Sequence, residues 1–566
     1  MKRSRWLAAI LTAATATAPL ALAPAASAAT TLAVDLGAPI RPVTHAASGG
    51  LYALIENDRP ADEMLHPIQL RNVTQPAPGT VHEPNGQPPG GDALLVAPQA
   101  DRVGAGVIIR MPDIYPRFPY QWVSWQDWLT KVDRQVQDRL AATSVSNIEG
   151  YELWNEPDYT WNTQEAGPFN EGWVRTFQRV RAADPLTPII GPSTARFDTG
   201  YMRSFLTHAR DHGALPDVVS WHELTAPPSA VAAHIEQYRA LERELGISPR
   251  PLALNEYAAT SEVDVPGRIA GYIAKLERGG VDSANRAFWY EYGTVNGLVV
   301  NNDQPTGMWW LYKWYGDMSG NMVATTPAAQ IGLDGFASYD AARGVAHVVF
   351  GDGDGPATID LTGLADFGPQ VEVLLESTPA AGRFTHVPEP TVESTGIHQV
   401  SGGRLSVELP DMDRTRGYHL AIRPAQGEPA HPHRYEAENA SVYRALRLES
   451  PTASNSGYVG RIDNSGDPRT DSYVDFLVQA PEAGDYTLTI GYANGGTRTS
   501  TQGLSVNGGP WRTVGYPPTS GWGTFGPTVT TTVHLEPGHN RIRLAKGAPG
   551  FPGATDYAEL DYIELG

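Results

Sequence analysis

From about residue 33 to residue 325 the chain alternates short apolar runs with amphipathic stretches of helical period. No other feature limits its fold so strongly. GVIIRM (106–111), GYELW (150–154), PIIGPS (188–193), DVVSWH (217–222), PLALNEY (251–257) and RAFWYEY (286–292) read as buried strands. One or two more fall upstream, around Leu51–Leu54 and Ile68–Val73. Between them lie stretches such as WQDWLTKVDRQVQDRLA, GWVRTFQRVRAAD and AVAAHIEQYRALEREL. Strands that alternate with helices run parallel, because the helical crossover returns the chain to the same end of the sheet. Eight strands in this length fit a (β/α)8 barrel over 29–325, to which an N-terminal strand need not belong. A doubly wound sheet is the rival, but no Gly-rich nucleotide-binding turn follows the early strands.

Near Gly332 helical periodicity stops. GVAHVVFG, ATIDLTG, VEVLLEST and GRLSVELP are short strands with turns between them, which predicts an accessory β-sandwich over 326–423. PAQGEPAHPHR (424–434) is a Pro-rich polar linker. A second all-β segment, 435–566, carries SYVDFLV, GDYTLTIGYA, TVTTTVHL and NRIRLA and is expected to form a β-sandwich of its own.

The first 28 residues, with Lys2, Arg3 and Arg5 before an Ala/Leu-rich run and an Ala26-Ser27-Ala28 site, read as a secretory signal peptide. An extracellular destination follows. The chain has 566 residues and no cysteine, so thiol chemistry and cysteine-bound metals are excluded and the folds must hold by cores or hard cations. A net charge of −20 argues against a nucleic-acid partner, which would need clustered Lys and Arg. No other run approaches membrane-spanning length, so no membrane partner is expected.

Two Asn-Glu pairs end strand-like runs: ELWNEP, with Asn155 and Glu156, and LALNEY, with Glu256, 100 residues later. In a (β/α)8 barrel the C-terminal ends of the strands carry the active site. Two carboxylates converging there can hydrolyse a glycosidic bond. One, kept protonated, protonates the leaving oxygen; the other, ionised, attacks the anomeric carbon. Asn155 is placed to bind a sugar hydroxyl. His222 is a substrate contact or a hydrogen-bonded core residue, and Trp289 a stacking floor or a core residue. Glu223 and Glu291 are rival carboxylates. Glu152 reads as the ion-pair partner of Arg71 or Arg110. The Pro- and Tyr-rich DIYPRFPYQW (113–122) follows the third strand and is placed to line a cleft.

YELWNEPDYTW followed by PLALNEY resembles the clan A glycoside hydrolases, and most nearly glycoside hydrolase family 39. The resemblance implies a (β/α)8 enzyme that retains anomeric configuration, with Glu156 as acid/base on the fourth strand and Glu256 as nucleophile on the seventh. It also implies a sandwich partly built by the N-terminal segment, here 31–45. The family's Ser-x-His-x-Tyr pattern appears as SWHEL: Ser220 and His222 match, and Leu224 stands where the tyrosine would be. The tyrosine that would orient the nucleophile is then missing or comes from elsewhere, Tyr290 or Tyr292.

The last segment, with YEAENASVYRA, SGYVGRIDNSGD, YANGG, SGWGTF and LDYIEL in order, resembles carbohydrate-binding modules of families 35 and 6. That likeness implies a jelly-roll sandwich, a structural calcium on Glu436, Glu438 and Asp561, and sugar contacts from Tyr458, Asn494 and Trp522. All-oxygen ligands suit such a hard cation. Together these readings predict a secreted, retaining glycoside hydrolase, monomeric, without organic cofactor, acting on poly- or oligosaccharide. The alternatives are an α-L-arabinofuranosidase rather than a β-D-glycosidase, or a non-catalytic carbohydrate-binding protein.

Overall fold

Strand β1 (Thr30–Pro42) buries Leu32, Val34 and Leu36 and exposes the residues between them, the period of a strand with one face in a core. It leaves the barrel and joins the accessory sheet, parallel to Gly355–Thr362 and antiparallel to Asn321–Pro327. The computed structural model describes residues 29–566, apart from 226, 342, 426–432, 463–471, 549 and 552. The segment read as a signal peptide, 1–28, and most of the expected linker lie outside the described residues.

Eight parallel strands then close into a barrel. They are β2 (Gly49–Leu51), β3 (Asn72–Pro76), β4 (Gly106–Arg110), β5 (Ile148–Glu152), β6 (Ile189–Thr194), β7 (Val218–Glu223), β8 (Leu252–Tyr257) and β9 (Ser283–Arg286). β4 and β8 are buried along their whole length, because side chains fill the barrel on one face and helices cover the other. The outer helices include α1 (Ala93–Arg102), α2 (Trp125–Ala141), α3 (Phe169–Ala183), α4 (Thr199–Asp211), α5 (Pro228–Leu245) and α6 (Pro266–Arg278). Their starts are set locally. Asp92, Ser124 and Asp198 each accept a hydrogen bond from a first-turn backbone N–H of α1, α2 and α4. Gly246 ends α5 in the left-handed region at φ 66°. No helix among the described residues is long and apolar enough to cross a membrane.

The last barrel strand differs from expectation. It ends at Arg286, and the aromatic run after it is loop. Phe288 and Tyr292 are apolar because they pack on Leu51 and Tyr52 above the barrel mouth, not because they belong to the sheet.

A nine-stranded accessory sheet, including β1, closes around one core of Leu32, Val348, Ile359, Val373, Leu420 and their neighbours. It sits directly on the barrel. Lys275 and Arg278 of α6 bind Asp334, and Arg268 binds Asp352. Gly267 of α6 and Gly351 of the sheet touch so closely that a Cβ on Gly351 would lie 2.5 Å from the Gly267 Cα. Helix α7 (Gly307–Gly316, GMWWLYKWYG) is apolar all round because it is wedged where the barrel, the sheet and the last segment meet.

Residues 433–566 form two antiparallel sheets, of six and five strands, over a common core that includes Val474, Phe476, Leu488, Ile490, Leu544 and Ile563. This β-sandwich is docked rather than hung from the body. Its Tyr443 stacks on Trp310 of α7 at 5.2 Å between ring centroids, and Arg543 binds Glu389 of the accessory segment at 2.9 Å.

Candidate active site

Glu156 stands four residues beyond β5, at the end of the barrel where the strands finish. It holds φ 52°, a left-handed conformation uncommon for a side chain of this size. Its surroundings fix it there. The Glu156 N–H donates to the Ser193 carbonyl at 2.8 Å, and Thr160 Oγ donates to the carbonyls of Asn155 and Glu156. Trp154 donates to Thr160 and packs among Trp122, Trp128 and Trp161. The tryptophans that make ELWNEPDYTW conspicuous are thus the buttress of Glu156.

Glu256 lies within β8, and His222 is its register partner on β7, so both project into the barrel. His222 Nδ1 is 3.0 Å from Glu156 Oε1 and 3.8 Å from Glu256 Oε1. One ligand atom from each of the three residues lies within 4.8 Å of the others. Arg110, at the end of β4, completes the group. Its Nη1 donates to Glu256 Oε1 at 2.7 Å, and its Nε and Nη2 hold Glu152, its register partner on β5, at 2.8 and 3.3 Å. Two acids and a histidine so placed could reach for a cation, but Arg110 already supplies a fixed one.

Burial pushes the Glu256 carboxyl above the ordinary glutamate range, against the pull of His222 and Arg110. Burial acts the same way on Glu156, but there the His222 hydrogen bond and charge outweigh it and hold the carboxyl below that range. Burial also opposes the imidazolium of His222, yet Glu256 and Glu156 overcome this and raise it. As the site stands, the proton prefers His222 and Glu256 to Glu156, the reverse of what an acid at Glu156 needs. The three titrate as one unit, and the geometry gives the route for redistribution. A proton on His222 Nδ1 is one hydrogen bond from Glu156, and Arg110 is in contact to hold Glu256 ionised.

Asn155 donates to Tyr120 Oη at 3.2 Å, and Tyr120 and Tyr52 both donate to Asp113. The loop 113–122 therefore does wall this end of the barrel. Among the described residues, Asn155 Oδ1 and His222 Nε2 are buried without hydrogen-bond partners. Unsatisfied buried polar groups are costly, and their clustering here marks a place for a polar ligand.

The remaining expectations divide. Glu152 pairs with Arg110, whereas Arg71 pairs with Glu149. Glu223 alternates with His222 and so faces the helices, where Trp221 and His234 bond it. Glu291 is exposed. Trp289 is half-buried at the rim and spends its N–H on the Ala258 carbonyl. Neither proposed tyrosine touches Glu256: Tyr290 donates to the Thr260 carbonyl, and Tyr292 packs on Tyr52 and Phe288. Arg110 does that work instead. Sequence reading had paired Arg110 with Glu152 alone; a lone charge ending an apolar strand was the available signal.

In the C-terminal sandwich, Trp522 is 44% exposed and stacks on the equally open Tyr557 at 5.3 Å. Tyr557 was not foreseen. Tyr458 is buried against Phe525. Asn494 is not available to a ligand through its amide. That amide donates to the Arg498 and Tyr516 carbonyls, and its oxygen accepts from Gly496 N, so it ties the loop together. Glu436 and Asp561 are bridged by Ser454, and Glu436 Oε2 is buried without a hydrogen-bond partner among the described residues. Glu438 lies on the 3-10 turn (Ala437–Asn439) that follows the strand, its carboxyl close against Gly457.

No protein-family model matches the chain. It is 26% identical over 510 residues to 3-O-alpha-D-galactosyl-alpha-L-arabinofuranosidase of Bifidobacterium longum subsp. longum, covering 77% of this chain and 44% of that protein. It is 27% identical over 496 residues to 3-O-beta-L-arabinopyranosyl-alpha-L-arabinofuranosidase of Bifidobacterium pseudocatenulatum, covering 74% and 49%. The chain thus spans about half the length of the curated relatives it matches. A family 35 carbohydrate binding module from Clostridium thermocellum is 30% identical over 24% of this chain and 97% of its own, with a TM-score of 0.20. The solved structure of N2152 from Neocallimastix frontalis is 33% identical, with a TM-score of 0.67, over 70% of this chain and 100% of that one. The chain belongs to the same family as N2152, and its curated relatives are glycoside hydrolases.

Proposed function

We propose that the chain is a secreted, retaining glycoside hydrolase that cleaves α-L-arabinofuranosyl bonds, with its last domain binding polysaccharide. One observation carries the mechanism. The Glu156 and Glu256 oxygens that face His222 lie within 4.8 Å of one another. That suits the separation of about 5–5.5 Å used for double displacement better than the roughly 6.5–9.5 Å that leaves room for a water in inversion. Glu256, held by Arg110, attacks the anomeric carbon. Glu156, fed through His222, protonates the departing oxygen and later deprotonates the water that releases the sugar. The unpartnered oxygen of Asn155 receives a sugar hydroxyl.

The names of the two Bifidobacterium relatives favour the arabinofuranosyl reading over a β-D-glycosidase. The exposed Trp522–Tyr557 pair supports sugar binding by the last domain, since an open aromatic face stacks on the apolar face of a pyranose. A calcium there would be held by Glu436 and Asp561, whose all-oxygen donors and orphaned Glu436 oxygen fit a hard cation, with Glu438 on the adjoining turn as the third acid.

The test is turnover of aryl glycosides by the wild type, Glu256→Ala and Glu156→Ala with added azide. Rescue of Glu256→Ala as a glycosyl azide of inverted anomer, and of Glu156→Ala as one of retained anomer, establishes both roles. A wild type that cleaves aryl β-D-glycosides but no arabinofuranoside overturns the sugar assignment. One that cleaves nothing while still binding polysaccharide overturns the enzyme reading.

A further inference from the structure

The accessory sheet sends the loop 379–390 across to the mouth of the barrel. There Arg383 is gripped on three sides. Its guanidinium lies 3.3 Å from the centre of the Tyr290 ring and 4.5 Å from that of Phe384, and it binds Asp264 at 3.3 Å. Its backbone sits so close to Gly297 that a Cβ there would lie 2.7 Å from the Arg383 Cβ. The loop is pinned further by Val387, whose N–H donates to the Pro305 carbonyl and whose carbonyl accepts from Trp310.

Tyr290 belongs to the loop after β9, and that loop is tied to the catalytic strand. Trp289 bonds the carbonyl of Ala258, two residues past Glu256, and Tyr290 bonds that of Thr260. The loop after β3 braces it from the other side through Asn85 and Gln87. Between Arg383, Phe384, Tyr290, Glu291, Arg59 and Asn302 lies a cavity of about 330 Å³, within the range of roughly 300–1,000 Å³ typical of small-ligand sites.

The walls have the chemistry of a sugar site. Phe384 is 71% exposed, a large apolar face open to solvent beside the Arg383 guanidinium. Around it stand planar polar groups. Arg383 Nε is buried without a hydrogen-bond partner among the described residues. Asp264, outside the walls, neutralises Arg383, and of the other charged wall residues Arg59 stands against Glu291. A stacking face, planar donors and acceptors, and no net charge select a neutral sugar ring over an anion or a peptide.

We propose that this cavity, built jointly by the barrel and the accessory sheet, binds a neutral sugar unit of the substrate at least one residue away from the cleaved bond. The inference rests on the glycosidase reading and adds a place where glycan length is sensed. Phe384 stacks on the distal ring, and Arg383 positions Tyr290 and donates to the ring's hydroxyls.

The test pairs two substrates: the aryl glycoside that the wild type cleaves, and the same glycoside extended by one neutral sugar. Phe384→Ala should raise KM for the extended substrate by about 3- to 10-fold, the worth of one aromatic contact, with its kcat and both constants for the short substrate unchanged. Arg383→Ala should act in the same direction. Arg383→Lys, which keeps the charge beside Asp264 but not the planar fork, should rescue only part of the loss. If Phe384→Ala leaves the two KM values in their wild-type ratio, the cavity holds no part of the substrate. If Arg383→Ala depresses both substrates equally and lowers the melting temperature, Arg383 is structural and the proposal fails. Inert arabinofuranosides beside another active aryl glycoside would defeat the sugar assignment alone, and the cavity would be tested on that glycoside and its extended form.

Discussion

The barrel and the C-terminal sandwich each bury a group of carboxylates, and they neutralise them differently. In the barrel, Glu152 and Glu256 share Arg110, and Glu156 leans on His222. Every acid there has a cationic partner that the fold holds in place. In the sandwich, Glu436 and Asp561 face one another across Ser454. The nearby Arg434 gives its hydrogen bonds to Glu564 and Ser454 instead. Burial raises Asp561 to about 7, helped by the charge of Glu436, and raises Glu436 as well. The first group is equipped to move a proton between its own members. The second lacks an internal cation and has the balance of a site that gains from an external one.

This contrast can be broken at several points. The largest effect is expected at Glu256. Glu256→Gln keeps the shape and removes the nucleophile, and should lower kcat by about 10⁴-fold or more in steady-state turnover, with little change in melting temperature. Arg110→Leu strands two buried carboxylates. It should cost about 3–5 kcal/mol of stability in denaturant unfolding. Loss of that positive charge should raise Glu256 further, so the acid limb of kcat/KM should move to higher pH. An unmoved limb would mean that Arg110 does not set the ionisation of Glu256.

His222→Gln should be milder for stability. It removes the group that holds Glu156 down and also opposes the rise of Glu256, so both carboxyls shift upward and the acid limb follows. Activity should fall about 10²-fold, as for loss of a group that aids proton transfer. Retention of full activity with an unchanged pH profile would remove His222 from the proton route.

The smallest effect belongs to the sandwich. The folded value of Asp561, about 7, lies above its unfolded one. Its contribution to stability is therefore full in acid and is lost as pH rises through about 7. Full-chain calorimetry without calcium should show the sandwich transition falling by roughly 5 °C from pH 4.5 to pH 7.5. Calcium should restore it, and Asp561→Asn should abolish both the pH dependence and the calcium response. A transition indifferent to calcium would leave Glu436 and Asp561 as a buried acid pair only.

The two glutamates were legible in the sequence because each lies at or just past the end of a buried strand, follows an asparagine and precedes a residue that stiffens the turn. Position along a strand translates directly into position in a barrel. What surrounds the pair was less legible. Arg110 reaches Glu256 across 146 residues, on a strand that is not its neighbour, and no local pattern encodes such a contact. Asn494 ties its own loop, a role the sequence does not distinguish from sugar binding for an asparagine beside glycines. The Pro-rich stretch before the last domain reads as a linker and says nothing of how that domain sits, whereas Tyr443 on Trp310 docks it.

By itself, then, the sequence determined the barrel, the two β-rich domains behind it and the identity of the two glutamates, all carried by periodicity and by residues adjacent in the chain. Tertiary structure alone decided which cation serves which acid, and that a loop of the accessory sheet lays Arg383 and Phe384 at the barrel mouth. These depend on distances between elements far apart in the chain. Such distances are set by how helices and sheets pack, and periodicity says nothing about them.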